Sequence, residues 1–356
     1  MRRPVSALAL ALLCLGSTVR EAAACTTFCL SQGKGQSQEL VFGKNYDWSI
    51  GDGLLVVNRR GVAKTALLEP EERPASWVSR YGSVTFNQYG RELPNGGMNE
   101  AGLVVEVMWL DETVWPARDD RPALGALEWV QYQLDRFEKT ADVVRAAAGM
   151  RVISDAQIHW LVCDASGDCA TIEFLDGKLV AHHGKDLPVP ALTNHTYRAS
   201  LENLQRKRAE GQVPQGRGSL ERFARAADLL RADRGAGRPA VRRAFEILDS
   251  VAQGSYTQWN IVYDMRAKRV HFKTRTNPAV RWFDLRAFDF VCGAPARILD
   301  VDRGRGDLTR QFAPYRVEDN RRLVERAFRG TDFLRGTPPE FLERVIQHPQ
   351  TTSCRP

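Results

Sequence analysis

Cys25 stands directly behind Ala22-Ala23-Ala24, and that tripeptide ends a stretch laid out like a secretory leader. Arg2 and Arg3 form a basic start, residues 7–15 are an apolar core too short to cross a bilayer, and small residues precede the expected cut. Cleavage there exposes a cysteine with a thiol and a free α-amine on one residue. A thiol attacks only as thiolate, and an N-terminal amine titrates near pH ~8 rather than the ~10 of lysine, so nucleophile and base would share a single residue at neutral pH. A second reading makes Cys25 the lipid attachment point of an exported binding protein. Ala22 stands where such signals usually carry Leu, and the A-x-A pattern fits simple cleavage directly. Intact mass separates the two: a free terminus supports the hydrolytic reading, a diacylglyceryl adduct the anchored one.

An acyl-transfer site built on Cys25 needs a group to hold amine and thiol in register, donors for an oxyanion and a pocket for the acyl group. Asp47, in the strand-turn segment 43–48, offers a carboxylate to the amine or thiol; a strand-end turn aspartate is its plain alternative. Asn194, in 191–195, offers an amide N–H, although an Asn beside a loop also forms turns. Arg222 falls in the first turn of an expected helix, where a cation opposes the helix dipole, and an exposed arginine is the simple alternative.

The elements that must position these residues read as strands, then helices, then strands. Residues 26–31, 39–42, 54–59 and 103–110 are rich in β-branched and apolar side chains between Gly or Asp turns. Residues 123–137 and 141–148 have helical periodicity, with Thr140 placed to cap the second. Runs 159–162 and 170–174 flank a turn bounded by Cys163 and Cys169, which predicts a hairpin and a candidate disulfide across it; Cys292 and Cys354 are a weaker candidate pair. Leu220, Phe223, Ala227 and Leu230 share a helix face behind Ser219, a candidate cap, and Val241, Phe245 and Leu248 do so behind Pro239. Strands return at 259–263 and 270–274, with short helices near the C-terminus. The pattern predicts helices covering packed antiparallel sheets.

Composition narrows the function. The leader holds three Arg and one Glu, so its loss takes the net charge from +7 to +5. The basic residues are scattered among acids without interleaved aromatics, which argues against nucleic-acid binding. No later stretch reaches the ~18 apolar residues of a membrane span, so stable membrane insertion is not expected. No Cys-x-x-Cys or His-Glu-x-x-His spacing occurs, and neither metal nor cofactor is expected. Without a dividing linker, residues 25–356 read as one domain behind the leader at 1–24, placed in the periplasm or outside the cell.

Seven pieces in order resemble the choloylglycine hydrolases, linear-amide C–N hydrolases that include bile salt hydrolases and penicillin V acylases. They are Cys25-Thr26-Thr27, Lys44 to Asp47, the turn Gly97 to Leu103, His159-Trp160, Leu192-Thr193-Asn194, Arg222-Phe223 and Thr257-Gln258-Trp259. The resemblance implies the α+β four-layer αββα sandwich of the N-terminal nucleophile hydrolases, and a small-molecule N-acyl amide as substrate. It makes Cys25 the nucleophile with its own amine as base, Asp47 the orienting carboxylate, Asn194 an oxyanion or leaving-group contact, and Arg222 the guanidinium beside the nucleophile. It also allows a homo-oligomer. Lys44 stands where the family usually has Arg, keeping the charge without the planar fork. Counting from Asn99, Trp109 stands where bile salt hydrolases carry an oxyanion-side Asn. Trp48 and Trp109 either fill the core or form an aromatic pocket, and their placement resembles that of the penicillin V acylases, which also act on N-acyl homoserine lactones. Acyl-amide hydrolysis is thus favoured over bile salts, with lipid amides such as ceramides or N-acyl ethanolamines as the other enzymatic alternative.

Overall fold

The computed structural model describes residues 25–33, 35, 38–232 and 237–355; the leader read at 1–24 lies outside them. Two antiparallel sheets carry the fold. The first has six strands in the order Ala191–Leu192, Thr26–Gln32, Glu39–Asp47, Thr257–Asp264, Arg269–Thr274 and Arg281–Asp284. The second has nine, in the order Lys178–His183, Cys169–Leu175, Ile158–Cys163, Val104–Trp109, Pro94–Asn99, Ser83–Asn87, Leu54–Asn58, Arg297–Asp300 and Ala313–Pro314.

Among the described residues there are seven helices: α1 (Ala126–Arg136), α2 (Thr140–Ala147), α3 (Tyr197–Ala209), α4 (Ser219–Ala232), α5 (Ala240–Ser250), α6 (Val317–Gly330) and α7 (Pro339–Gln347). Helices α1 and α2 pack on the nine-stranded sheet, α4 and α5 pack on the six-stranded one with α3 against α4, and α6 pairs with α7. This is the expected αββα layering. Strands covered on both faces cannot alternate polar and apolar residues. Accordingly, Glu39–Asp47 and Thr257–Asp264 are buried along almost their whole length, whereas Arg269–Thr274, nearer the sheet edge, alternates.

Aromatic rings fill the space between the sheets. Phe86 meets Tyr263 and Phe272 edge-on at 6.2 and 5.5 Å, and Tyr46 stacks on Trp259 at 4.4 Å. Such rings bury roughly 150–250 Å² each and prefer these offset or edge geometries. A second core lies under α1, where Trp129 packs on Trp160 at 4.4 Å.

Three local expectations change. Residues 123–125 form a short strand, and the helix begins at Ala126. Thr140 does not cap α2 with its side chain; its Oγ1 donates to the Asp168 carbonyl at 2.8 Å, fastening the helix to the hairpin turn. Ser219 likewise turns its hydroxyl away from α4, toward Thr193 and Asn194. Four strands between residues 62 and 99 carry no sequence signal strong enough to predict. The reason is visible at Asn95-Gly96-Gly97: Gly96 lies opposite Glu106, and a Cβ there would sit 2.1 Å from the Glu106 carboxyl carbon. Glycine has poor strand propensity but makes room for that carboxylate.

Cys163 and Cys169 face each other across the hairpin and are joined, as are Cys292 and Cys354. The second bond pins the C-terminal strand Ser353–Cys354 and closes 62 residues of chain. Loop-closure entropy for that length sets an upper limit of about 4 kcal/mol on its stabilisation. Cys292→Ala/Cys354→Ala is expected to lower the urea midpoint, with a loss of unfolding free energy of up to about 4 kcal/mol; an unchanged midpoint would show that the bond does not form.

Candidate active site

Pairing of Thr26 with Asn45 and Thr27 with Lys44 places Cys25 beside the end of Glu39–Asp47, in the middle of the six-stranded sheet. Side chains alternate along a strand, so Cys25 and Thr27 share one face and Thr26 takes the other. Thr27 Oγ1 lies 3.4 Å from Met108 Sδ of the facing sheet, so the Cys25 face looks into the sandwich. Thr26 faces α4, whose Arg222 reaches it.

Arg222 is 1 % exposed, and its burial is fully used. Nη1 donates to the Cys25 carbonyl at 2.6 Å and to Thr26 Oγ1 at 2.7 Å, and Nη2 donates to Asn194 Oδ1 at 2.7 Å. The planar fork thus ties Cys25 and the start of the strand Thr26–Gln32 to Asn194. Asn194 is held at its other end by Nδ2 donating to the Trp109 carbonyl at 2.9 Å, which leaves the second N–H of that amide for another acceptor. Its backbone N–H donates to Ser219 Oγ at 2.8 Å.

Asp47 ends its strand fully buried, and among the described residues neither carboxylate oxygen has a hydrogen-bond partner. Burial pushes its carboxyl up to about 7, against the opposing pull of Thr257, Arg222 and Lys44. Its backbone carbonyl lies 3.8 Å from Cys25 Sγ. Burial also pushes the Cys25 thiol up, while the Lys44 and Arg222 cations draw it down. A buried carboxyl whose oxygens have no partner at hydrogen-bond distance is rare in a folded protein, and beside a buried thiol it can accept a cation at that spot.

Lys44 projects between the sheets, on the same inner face as Cys25. Its Nζ donates to the Val107 carbonyl and lies 3.7 Å from Glu106, which also accepts from Tyr263 OH at 2.5 Å. Burial raises Glu106 to about 7, and the ammonium opposes that rise. Lysine here balances a carboxylate behind the nucleophile, a point-charge task that does not require the arginine fork.

Cys25 opens on an apolar cavity of about 430 Å³. Trp48 and Trp109 line it with ring centroids 5.9 Å apart, and Phe333 continues the row 5.8 Å from Trp109. Phe328, Phe341 and Val345 of the α6–α7 region also line it. These C-terminal residues were not anticipated; the amphipathic spacing of Phe341 and Val345 on α7 was their only signal. Among the described residues one cysteine cluster has metal-ligand spacing, Cys29 with Cys163 and Cys169, but the latter two sulfurs are already bonded to each other. No described helix is long and apolar enough to cross a membrane.

Two antiparallel sheets stacked between helical layers, with a buried cysteine opening a central strand, define the N-terminal nucleophile hydrolase class. The model of the linear amide C–N hydrolases, choloylglycine hydrolase family, matches residues 25–228, and the chain belongs to that family. It is a hydrolase of linear amide bonds. A penicillin V acylase of Pectobacterium atrosepticum is 28 % identical, over 85 % of this chain and 91 % of its own. The structure of a penicillin V acylase from Agrobacterium tumefaciens superimposes with a TM-score of 0.73 at 27 % identity, covering 82 % of this chain and 98 % of that one. A conjugated bile acid hydrolase from Clostridium perfringens shares the fold at TM-score 0.65 and 16 % identity, over 80 % and 98 % of the respective chains. Phe328, Phe333, Phe341 and Val345 lie beyond the residues that the family model matches, so part of the pocket wall falls outside that match.

Proposed function

We propose that removal of residues 1–24, in the periplasm or on export from the cell, leaves Cys25 as an N-terminal nucleophile acting on N-acyl amides with a flat aromatic or aliphatic acyl group, as the penicillin V acylases do. The observation that carries this reading is the unpartnered Asp47 carboxylate beside Cys25 at the mouth of an apolar cavity. Cleavage creates an α-amine at that spot, which becomes the missing cation when it is protonated. The thiol proton passes to that amine, Cys25 sulfur attacks the amide carbonyl, and the free N–H of Asn194 is placed to meet the oxyanion or the departing nitrogen. The leaving amine takes the proton, and water then hydrolyses the thioester.

Hydrolysis assays with penicillin V, an N-acyl homoserine lactone, glycocholate and an N-acyl ethanolamine test the substrate class, alongside N-terminal sequencing of exported protein. Activity on the first two and a terminus at Cys25 are expected. Preference for glycocholate, or a lipid-capped Cys25, rejects the reading.

The pocket predicts its own specificity change. Trp109 is partly exposed, tilted between Trp48 and Phe333 at the margin of the core under α1, so Trp109→Ala takes ring contacts mainly from the pocket. Pocket contacts of this kind are worth roughly 1–3 kcal/mol, or 10- to 200-fold. The ratio of kcat/KM for phenoxyacetyl over longer aliphatic substrates is expected to fall by at least about 10-fold, with Tm little changed. Loss of folding instead would mark the ring as core packing.

A further inference from the structure

His159 belongs to the nine-stranded sheet, yet its ring reaches the six-stranded one. Nε2 lies 2.7 Å from the Thr193 carbonyl, which follows the strand Ala191–Leu192, and Nδ1 lies 3.0 Å from Glu173 Oε1 on the neighbouring strand. Both His159 and Glu173 are fully buried. Glu173 Oε1 also accepts the backbone N–H of Tyr197 at 2.8 Å, at the start of α3.

Hydrogen-bond chemistry fixes most of the protonation pattern. A carbonyl oxygen only accepts, so Nε2 carries a hydrogen. The contact between Nδ1 and Glu173 then holds one further proton, whether formally on nitrogen or on oxygen, and the pair is net neutral in both cases. A neutral pair is tolerated between packed sheets, where a lone charge is not; the other Glu173 oxygen, Oε2, makes no hydrogen bond among the described residues and lies 3.7 Å from His182 Nε2.

The carbonyl so fastened belongs to the residue before Asn194. Thr193 Oγ1 in turn donates to the Ser219 carbonyl at 3.2 Å, and Ser219 Oγ receives the Asn194 N–H. Ser219 opens α4, which carries Arg222 one turn later, and Arg222 closes the circuit onto Asn194 Oδ1 and the Cys25 carbonyl. The chain of contacts therefore runs from Glu173 through His159 and Thr193 to Asn194, and from there through Arg222 to the Cys25 carbonyl.

We infer that His159, backed by Glu173, is a positioning residue for amide hydrolysis: its Nε2–H ties the two sheets together at Thr193 and thereby sets the Asn194 amide against Cys25. This rests on the reading of Cys25 as nucleophile and Asn194 as its neighbour in the reaction. A misplacement of about 1 Å at a reacting centre costs up to roughly 100-fold in rate. His159 touches neither the cavity nor Cys25, so its effect falls on kcat rather than on substrate binding.

The test compares His159→Leu, which removes the donor, with His159→Gln, whose amide keeps an N–H for Thr193. His159→Leu/Glu173→Leu serves as the variant with no orphaned carboxylate in case the single Leu change does not fold. Against the best amide substrate, both Leu variants are expected to lose about 10- to 100-fold in kcat with KM within about 3-fold of wild type, while His159→Gln keeps most of kcat. Wild-type kcat in a folded Leu variant overturns the inference, as does a Gln variant no better than Leu or a loss confined to KM. An active wild type whose Cys25→Ser variant stays equally active rejects the nucleophile assignment, and the positioning role with it. Failure of the His159 series alone leaves the nucleophile intact.

Discussion

Cys25→Ser, expressed with its leader and recovered as the processed chain, is expected to lose at least about 10³-fold in kcat/KM toward every amide the wild type cleaves, while its melting temperature stays within a few degrees. The size follows from the chemistry. A hydroxyl is ionised far less readily than a thiol, and the α-amine that titrates near pH ~8 cannot generate much alkoxide from it. A factor of 10³ corresponds to about 4 kcal/mol of transition-state stabilisation, within the range seen when a nucleophile is lost. Fold should survive because the hydrogen bond Cys25 Sγ makes among the described residues is long, 3.8 Å to the Asp47 carbonyl, and oxygen is smaller than sulfur and fits the same buried site. N-terminal sequencing must accompany the assay, since a chain that keeps Ala24 would be inactive for lack of the amine alone. Activity within 10-fold of wild type in a correctly cleaved Ser variant would remove Cys25 from the chemistry.

The residues that make this site were unequally legible. Cys25, Asp47, Asn194 and Arg222 could be named because each brings a chemical group at a recurring place in the chain order; the structure joins Cys25, Asn194 and Arg222 in one hydrogen-bonded network, to which Asp47 is linked by its backbone carbonyl. What the sequence hid was how they are held. Arg222 reads as an exposed residue at a helix start; only the packing of α4 on the strand from Thr26 shows that its whole fork is engaged inside the protein. Ser219 reads as a helix cap because serine before an apolar run usually is one. Its hydroxyl is drawn instead to Asn194, a tertiary contact that outweighs the local preference. His159 and Glu173 meet only because their strands are neighbours in register, a fact absent from any local window. Strand alternation could not reveal the buried central strands in full, because both of their faces are covered. The α6–α7 wall of the pocket was invisible for a similar reason: its apolar residues are indistinguishable from ordinary core until the cavity beneath them is seen.

Asp47 offers the sharpest pH signature. In the chain whose Cys25 nitrogen is still an amide, burial holds the carboxyl up to about 7, far above its unfolded value near 3.8. A carboxyl with a raised folded-state pKa favours folding while it is protonated. Its contribution is complete below the unfolded value and is lost as pH rises toward 7, because the folded state then must ionise a buried, unpartnered group. The span of roughly 3 units sets a ceiling of about 4 kcal/mol on that loss. Leader-retaining protein is therefore expected to lose stability between pH ~4 and ~7 relative to its Asp47→Asn variant, by denaturant unfolding at each pH. Processing reverses the balance. An ammonium beside Asp47 favours the ionised carboxylate, so the mature chain should show little of that loss, and Asp47→Asn should then destabilise it near neutrality. Activity reports the same contact from the other side. The carboxylate raises the pKa of the neighbouring amine, so its removal shifts the acid limb of kcat/KM to lower pH, while loss of orientation lowers the plateau by about 10²-fold. A mature Asp47→Asn enzyme with an unmoved acid limb and an unchanged plateau would place the Cys25 amine away from this carboxylate, and would assign the buried charge to the fold rather than to the reaction.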